Sequence, residues 1–311
     1  MKSTLAGIHH VTAIAGDAQR NYDFYTKVLG LRLVKKTVNF DDPGTYHFYF
    51  GDEAGHPGTI LTFFPWAHVR RGLRGAGQAT ETSFSVPSGS FDWWMARFEA
   101  HNVIYNKPSH RLGEDYLVFV DPDGLKLELV ADDTDTRQPW SGGGIPADKA
   151  IRGFYGVTLT VNDEKGTARL LTEIFDFQAT KSHGHRYRFE AGRGAFADKI
   201  DLVVLPHEQQ GMVAGGSVHH VAFRVPDYDT QMVLREEIAS AGYGITGQID
   251  RQYFKSLYFR ENAGVLFEIA TDIPGFATDE SLDQLGHGLM LPPQYENRRA
   301  DIERVLPQLS L

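Results

Sequence analysis

Two pairs of adjacent histidines are the residues best suited to chemistry in this chain. They are His9-His10 in GIHHVTAI and His219-His220 in SVHHVAFR. A glutamate, Glu268, sits in the apolar run VLFEIA. An ionised carboxylate in such a strand is costly unless it is paired or holds a metal. The 311 residues include no cysteine. Thiolate zinc sites, iron–sulfur clusters, disulfides and cysteine nucleophiles are therefore excluded, and any metal must rest on nitrogen and oxygen donors. The chain carries 13 histidines, so imidazole is the first donor to consider. Neither a P-loop nor a GxSxG nucleophile elbow occurs.

The elements that must position these residues recur. GIHHVTAIAGD reads as a strand running into a loop, because Val11 and Ile14 are β-branched and apolar. NYDFYTKVLGL then places Tyr22, Tyr25, Val28 and Leu29 near helical spacing, with Gly30 as a stop. LRLVKKTVNF, TYHFYFGD and GTILTFFP follow as three strands. A second unit starts at ETSFSVP and ends in the hairpin DYLVFVDPDGLKLELVA. A third starts at GFYGVTLTVND and a fourth at SVHHVAFRVPD, the last ending in KSLYFRENAGVLFEIATD. Self-similarity of this kind indicates a duplicated supersecondary unit. The expected fold is α+β: four βαβββ modules forming two paired half-barrel domains. Two modules are expected in 1–131, a Gly- and Pro-rich linker in 132–152, two modules in 153–271, and a tail with a closing helix in 272–311.

Composition narrows the class. Hydrophobic residues make up 41% and charged residues 23%, as in a globular protein with a real core. The net charge of -9 gives no basic footprint for nucleic acid. No apolar run approaches the roughly 18 residues that span a bilayer, and the first residues do not read as a secretory signal. A cytoplasmic protein with no nucleic-acid or membrane partner is expected, and a homo-oligomer is compatible with the sequence.

The repeated βαβββ unit resembles the vicinal oxygen chelate superfamily, the glyoxalase-like fold of glyoxalase I, extradiol dioxygenases and bleomycin-resistance proteins. A closer resemblance is to its hydroquinone-type ring-cleaving dioxygenases. It rests on IHHVT near the N-terminus, VHHVAF around residue 220, the Arg251…Tyr258 spacing, FEIATD, and LPPQYENRR in the tail. The resemblance implies an iron enzyme of aromatic-compound degradation. Its cofactor would be Fe(II), with Mn(II) as the alternative, and its partners a small aromatic diol and O2.

In that superfamily each module can offer one ligand from its first strand and one from its last. Aligned by eye, the first module offers His10 and Thr62, and the second Glu81 and Glu128. The third offers Gly156 and Val203, and the fourth His220 and Glu268. If the first module faces the fourth, the metal set is His10, His220 and Glu268. If it faces the second, the set is His10, Glu81 and Glu128. The resemblance favours the first of these and makes the second histidine of each pair the ligand. Catechol-type enzymes usually draw all three ligands from the C-terminal half, where this chain has Gly156 instead of a histidine. Related metal-dependent glyoxalases use four protein ligands, often with a carboxylate where Thr62 stands.

Adjacent strand residues point to opposite faces, so His9 and His219 are expected to orient ligands or substrate rather than bind metal. Thr12, Arg251 and Tyr258 complete the implied pocket. Arg is a permanent cation that can offset a phenolate, and Tyr can donate a hydrogen bond. Glu128 reads as a relic or an ion-pair partner. His183 and His185 in HGHRYRF read as solvated or at a pocket rim. His47, His56, His68, His101, His110, His207 and His287 have no supporting pattern, and Trp93 and Trp94 read as packing. The leading function is an extradiol-type ring-cleaving dioxygenase. A glyoxalase-like lyase or isomerase and a non-catalytic binder of aromatic compounds are the alternatives.

Overall fold

The computed structural model describes residues 5–192 and 196–311. The first unit comprises β1 (Ile8–Ala15), α1 (Ala18–Asp23), β2 (Arg32–Val38), β3 (Tyr46–Gly51) and β4 (Ile60–Pro65). The second comprises β5 (Gln78–Val86), α2 (Phe91–Ala100), β6 (Ser109–Arg111), β7 (Glu114–Val120) and β8 (Lys126–Ala131). The third comprises β9 (Gly153–Val161), α3 (Lys165–Arg169), β10 (Gln178–His183), β11 (Arg186–Glu190) and β12 (Lys199–Val204). The fourth comprises β13 (Ser217–Val225), α4 (Tyr228–Ser240), β14 (Ile249–Asp250), β15 (Phe254–Arg260) and β16 (Leu266–Pro274). Polar caps start two of the helices: Asp17 accepts from the Arg20 N–H, and Asp227 from the Thr230 N–H. Trp94 and Phe98, one turn apart on α2, are buried, and Phe98 packs on Phe119 of β7. The tail ends in a helix, α5 (Arg299–Val305). Among the described residues no helix is long and apolar enough to cross a membrane.

The units do not pair in chain order. The first and fourth form one 8-stranded sheet, ordered β14-β15-β16-β13-β1-β4-β3-β2. The second and third form another, ordered β10-β11-β12-β9-β5-β8-β7-β6. Each curls into a half-barrel. The two first strands of each sheet run antiparallel side by side, and each pairs in parallel with the last strand of its own unit. First and last strands, the ones that can offer ligands, therefore share the middle of each sheet.

The ladder fixes which positions are equivalent. Thr12 faces Thr62, Ser83 faces Glu128, Thr158 faces Asp201 and Ala222 faces Glu268. The last-strand position of the third unit is thus Asp201 and not Val203. Alignment by eye runs two residues late along IDLVV, where apolar residues dominate and give no landmark.

The ladder also slips beside each histidine pair. Ile8 and His10 face the neighbours Phe223 and Ala222, while Val218 and His220 face the neighbours Ala13 and Thr12. His9 and His219 are the extra, bulged residues. A bulge re-aims side chains, so strict alternation fails where the pairs sit. The second sheet slips in the same way at Thr80 and Tyr155. The bulges therefore belong to the repeated unit, and the first sheet places histidines on them.

In the second sheet, the carboxylates at the corresponding first- and last-strand positions are paired with cations. Arg186 spans Glu81 Oε2 and Asp201 Oδ2, each at 2.9 Å. Arg111 grips both oxygens of Glu128, which Ser83 also reaches at 2.6 Å. Arg188 takes both oxygens of Asp201, at 2.6 and 3.0 Å, and Lys126 pairs with Glu81. Burial alone would raise the Glu81 pKa, but Arg186 and Lys126 outweigh it and bring it down to about 2. Glu128 is an ion-pair partner, and Glu81 with it. Glu128→Gln is expected to cost about 1–3 kcal/mol in denaturant unfolding, because it removes the nearer of the two carboxylates paired with Arg111 and leaves only Glu81, at 3.7 Å. Metal content should not change; its loss would contradict this division between the sheets. The Glu81 contribution is complete above the ordinary carboxylate pKa and lost as the pH falls from there toward 2.

Candidate metal centre

His10 comes from β1, His220 from β13 and Glu268 from β16, three neighbouring strands of the first sheet. Glu268 Oε2 lies 2.9 Å from His220 Nε2 and 3.3 Å from His10 Nε2, and the two Nε2 atoms are 3.3 Å apart. Around a divalent ion with bonds of about 2.1 Å, neighbouring octahedral ligands stand about 3.0 Å apart. The three edges fit one face of such a shell. Glu268 Oε1 accepts from Ser256 at 2.5 Å, but Oε2 is buried and has no hydrogen-bond partner among the described residues. Two imidazole nitrogens and an orphaned carboxylate oxygen converging on one point make a donor set that could hold a metal ion. It is the only cluster of three such donors among the described residues.

Protonation favours coordination. Burial would raise the Glu268 pKa, but His10 and His220 outweigh it and hold the carboxyl well below its usual range. Burial lowers the His220 pKa, against the opposing pull of Glu268. A neutral imidazole and an ionised carboxylate are the forms that bind a metal.

The first histidine of each pair supports the second. His9 Nδ1 lies 2.9 Å from His10 Nδ1, and His219 Nδ1 lies 2.8 Å from His220 Nδ1. Burial, and then the neighbouring His10, lower the His9 pKa; burial, and then His220, take His219 down to about 3. Their surroundings differ. His9 packs on Phe254 at 5.1 Å between ring centroids and interacts with the Thr271 backbone. His219 instead lines the cavity above the centre.

That cavity measures about 400 Å³, within the range of small-molecule sites. Phe40, Phe64, Trp66 and Phe254 form its aromatic wall. Thr12, Arg251 and Tyr258 also line it. Arg251 Nε donates to the Tyr258 hydroxyl at 3.3 Å, and the guanidinium lies 5.4 Å from the centre of the Tyr258 ring. Burial pushes the Tyr258 pKa well above its ordinary value, so the phenol stays protonated. His10, Thr12, His219, His220, Arg251, Tyr258 and Glu268 thus meet at one cavity, and His9 stands behind it.

His47 and Tyr49, to which the sequence gives no role, line the same cavity. Alternation along TYHFYFGD carries the missing signal. Tyr46, Phe48 and Phe50 face the core, which leaves His47 and Tyr49 on the other side. His183 and His185 are exposed at the β10–β11 turn.

Comparison with known proteins gives the family. Residues 7–129 and 154–269 match the Glyoxalase/Bleomycin resistance protein/Dioxygenase superfamily. The chain belongs to that superfamily. MhqO of Bacillus subtilis (strain 168), named as an inferred ring-cleaving dioxygenase, is 48% identical over 306 residues, covering 98% of this chain and 97% of its own. The chlorohydroquinone/hydroquinone 1,2-dioxygenase of Sphingobium indicum is 36% identical over 310 residues, covering 96% of this chain and 95% of its own. The crystal structure of an inferred dioxygenase from Bacillus subtilis subsp. subtilis str. 168 has a TM-score of 0.95 at 47% identity, covering 100% of this chain and 99% of its own. These full-length relatives place the protein among the oxygenases of the superfamily.

Proposed function

We propose that the protein is an Fe(II)-dependent, extradiol-type ring-cleaving dioxygenase acting on a hydroquinone or a related aromatic diol. The observation that carries this reading is the three-donor face of His10, His220 and Glu268 opening into an aromatic-walled cavity that also holds a fixed cation, Arg251. Three protein ligands leave open positions, the arrangement used by two-histidine, one-carboxylate iron oxygenases. Mn(II) accepts the same donors. Thr62 offers a hydroxyl where Glu268 stands in the fourth unit, so the set stays at three. The name of the Sphingobium indicum relative supports a para-diol as substrate.

When bound, the metal would bring the ionised diol and O2 to neighbouring positions and carry electrons between them. The chain's own residues do the rest. Phe40, Phe64, Trp66 and Phe254 hold the ring and exclude water. Arg251 offsets the negative charge of the ionised hydroxyl. Tyr258 accepts from Arg251 and keeps its own proton beside the cavity that it lines. His220 presents Nε2 to the metal, so its Nδ1 carries the proton and donates to His219 Nδ1. His219 then carries its own proton on Nε2, as a donor at the cavity wall. His9 plays the same orienting part for His10 without reaching the substrate.

An oxygen-electrode screen of the iron-loaded protein against a panel of diphenols tests the reading. Uptake of one O2 per diol is expected, with hydroquinones preferred. Absence of uptake with every diphenol, or turnover that continues without oxygen, would favour the lyase or isomerase alternative.

A further inference from the structure

Thr62 stands at the position where a fourth ligand would be offered, yet its hydroxyl is engaged on both sides. Thr62 Oγ1 lies 2.9 Å from His47 Nε2 and 2.9 Å from Thr12 Oγ1, and His47 Nδ1 lies 3.0 Å from the Tyr49 hydroxyl. We propose that Tyr49, His47 and Thr62 form a one-directional hydrogen-bond relay that fixes Thr12 as a donor to an anionic oxygen of the bound aromatic substrate. The inference rests on the dioxygenase reading and adds positioning residues to it.

Donor counting sets the direction. A neutral imidazole has one donor and one acceptor nitrogen. Burial, with smaller contributions from His10 and His220, holds the His47 pKa well below its usual value, so the ring is neutral. Burial keeps the Tyr49 pKa well above its own. A protonated phenol is a stronger donor than an imidazole N–H, and an imidazole nitrogen is a better acceptor than a phenol oxygen. Tyr49 O–H therefore donates to His47 Nδ1, and His47 Nε2–H donates to Thr62. The Thr62 hydroxyl accepts from His47 and keeps its own hydrogen, which the proposed relay gives to Thr12, 2.9 Å away. With Thr12 accepting from Thr62, its one hydrogen is left for the cavity that it lines. Thr12 lies two residues from His10 on the same strand, beside the metal face. A donor aimed there would stabilise negative charge on a substrate oxygen without reorganising during the reaction. The relay also accounts for three side chains that the metal centre alone leaves without a task.

Thr62→Val keeps the shape of the side chain and breaks the relay. It is expected to lower kcat by about 10- to 100-fold, the usual cost of losing an outer hydrogen-bond partner, with KM and metal content unchanged. Thr62→Ser, which restores the hydroxyl, should recover the rate. A structural role alone would not show in the second readout, nitrogen NMR of the Zn(II)-loaded protein. There His47 should appear as the Nε2–H tautomer, a preference lost in Tyr49→Phe. Wild-type kcat in Thr62→Val, loss of metal from it, or an Nδ1–H tautomer at His47 would overturn the relay. If the wild type turns over no diol, the dioxygenase reading fails, and the tautomer still decides the relay.

Discussion

Replacing Glu268 by alanine is expected to abolish metal binding and turnover together while the protein stays folded. Glu268 supplies one of three donors, and its Oε2 has no other partner to occupy it. Outer partners of metal ligands typically contribute about 10- to 100-fold to affinity or activity. Loss of a direct ligand should exceed that range. His10→Ala and His220→Ala should behave alike, because the three atoms lie within 4.8 Å of one another and act as one set. Elemental analysis of the purified variants reads the result. Normal iron in His10→Ala, with loss in Glu81→Ala, would move the centre to the second sheet. That outcome would require the Arg186 and Lys126 pairs on Glu81 to open.

Arg251→Ala and Tyr258→Phe are expected to retain the metal and lose about 10²–10³-fold in kcat, the usual scale for donors that meet developing negative charge. Neither residue is one of the three converging donors. The phenylalanine variant keeps the ring that packs 5.7 Å from the His220 imidazole and removes only the hydroxyl. The fall should therefore appear in turnover rather than in iron content. Turnover like wild type in both variants would show that neither touches the reaction.

Much of the architecture was legible because the unit repeats itself. Each copy begins with an apolar strand and ends in one, with Gly, Pro and Asp at the turns between. The matched pairs IHHVT and VHHVA marked the two strands that meet at the centre, and Glu268 announced itself by its apolar surroundings. Other features were hidden because they are properties of pairing, not of composition. The bulges at His9 and His219 exist only in the ladder between β1 and β13. Strict alternation therefore put the two members of each pair on opposite faces, whereas their Nδ1 atoms meet. Asp201 was missed because IDLVV offers several apolar registers, and only its pairing with Thr158 fixes one. The role of Glu128 depended on Arg111, 17 residues earlier in the chain and on the far side of β7. His47 acquires its place only through the pairing of β3 with β4 beside Thr62.

The most direct measurement of the central claim is mass spectrometry of the product formed by the Fe(II)-loaded protein from hydroquinone under isotopically labelled O2. The account predicts one O2 consumed per diol and a ring-opened product that retains both labelled atoms before exchange with water. An intact ring, or a product carrying no label, would contradict it.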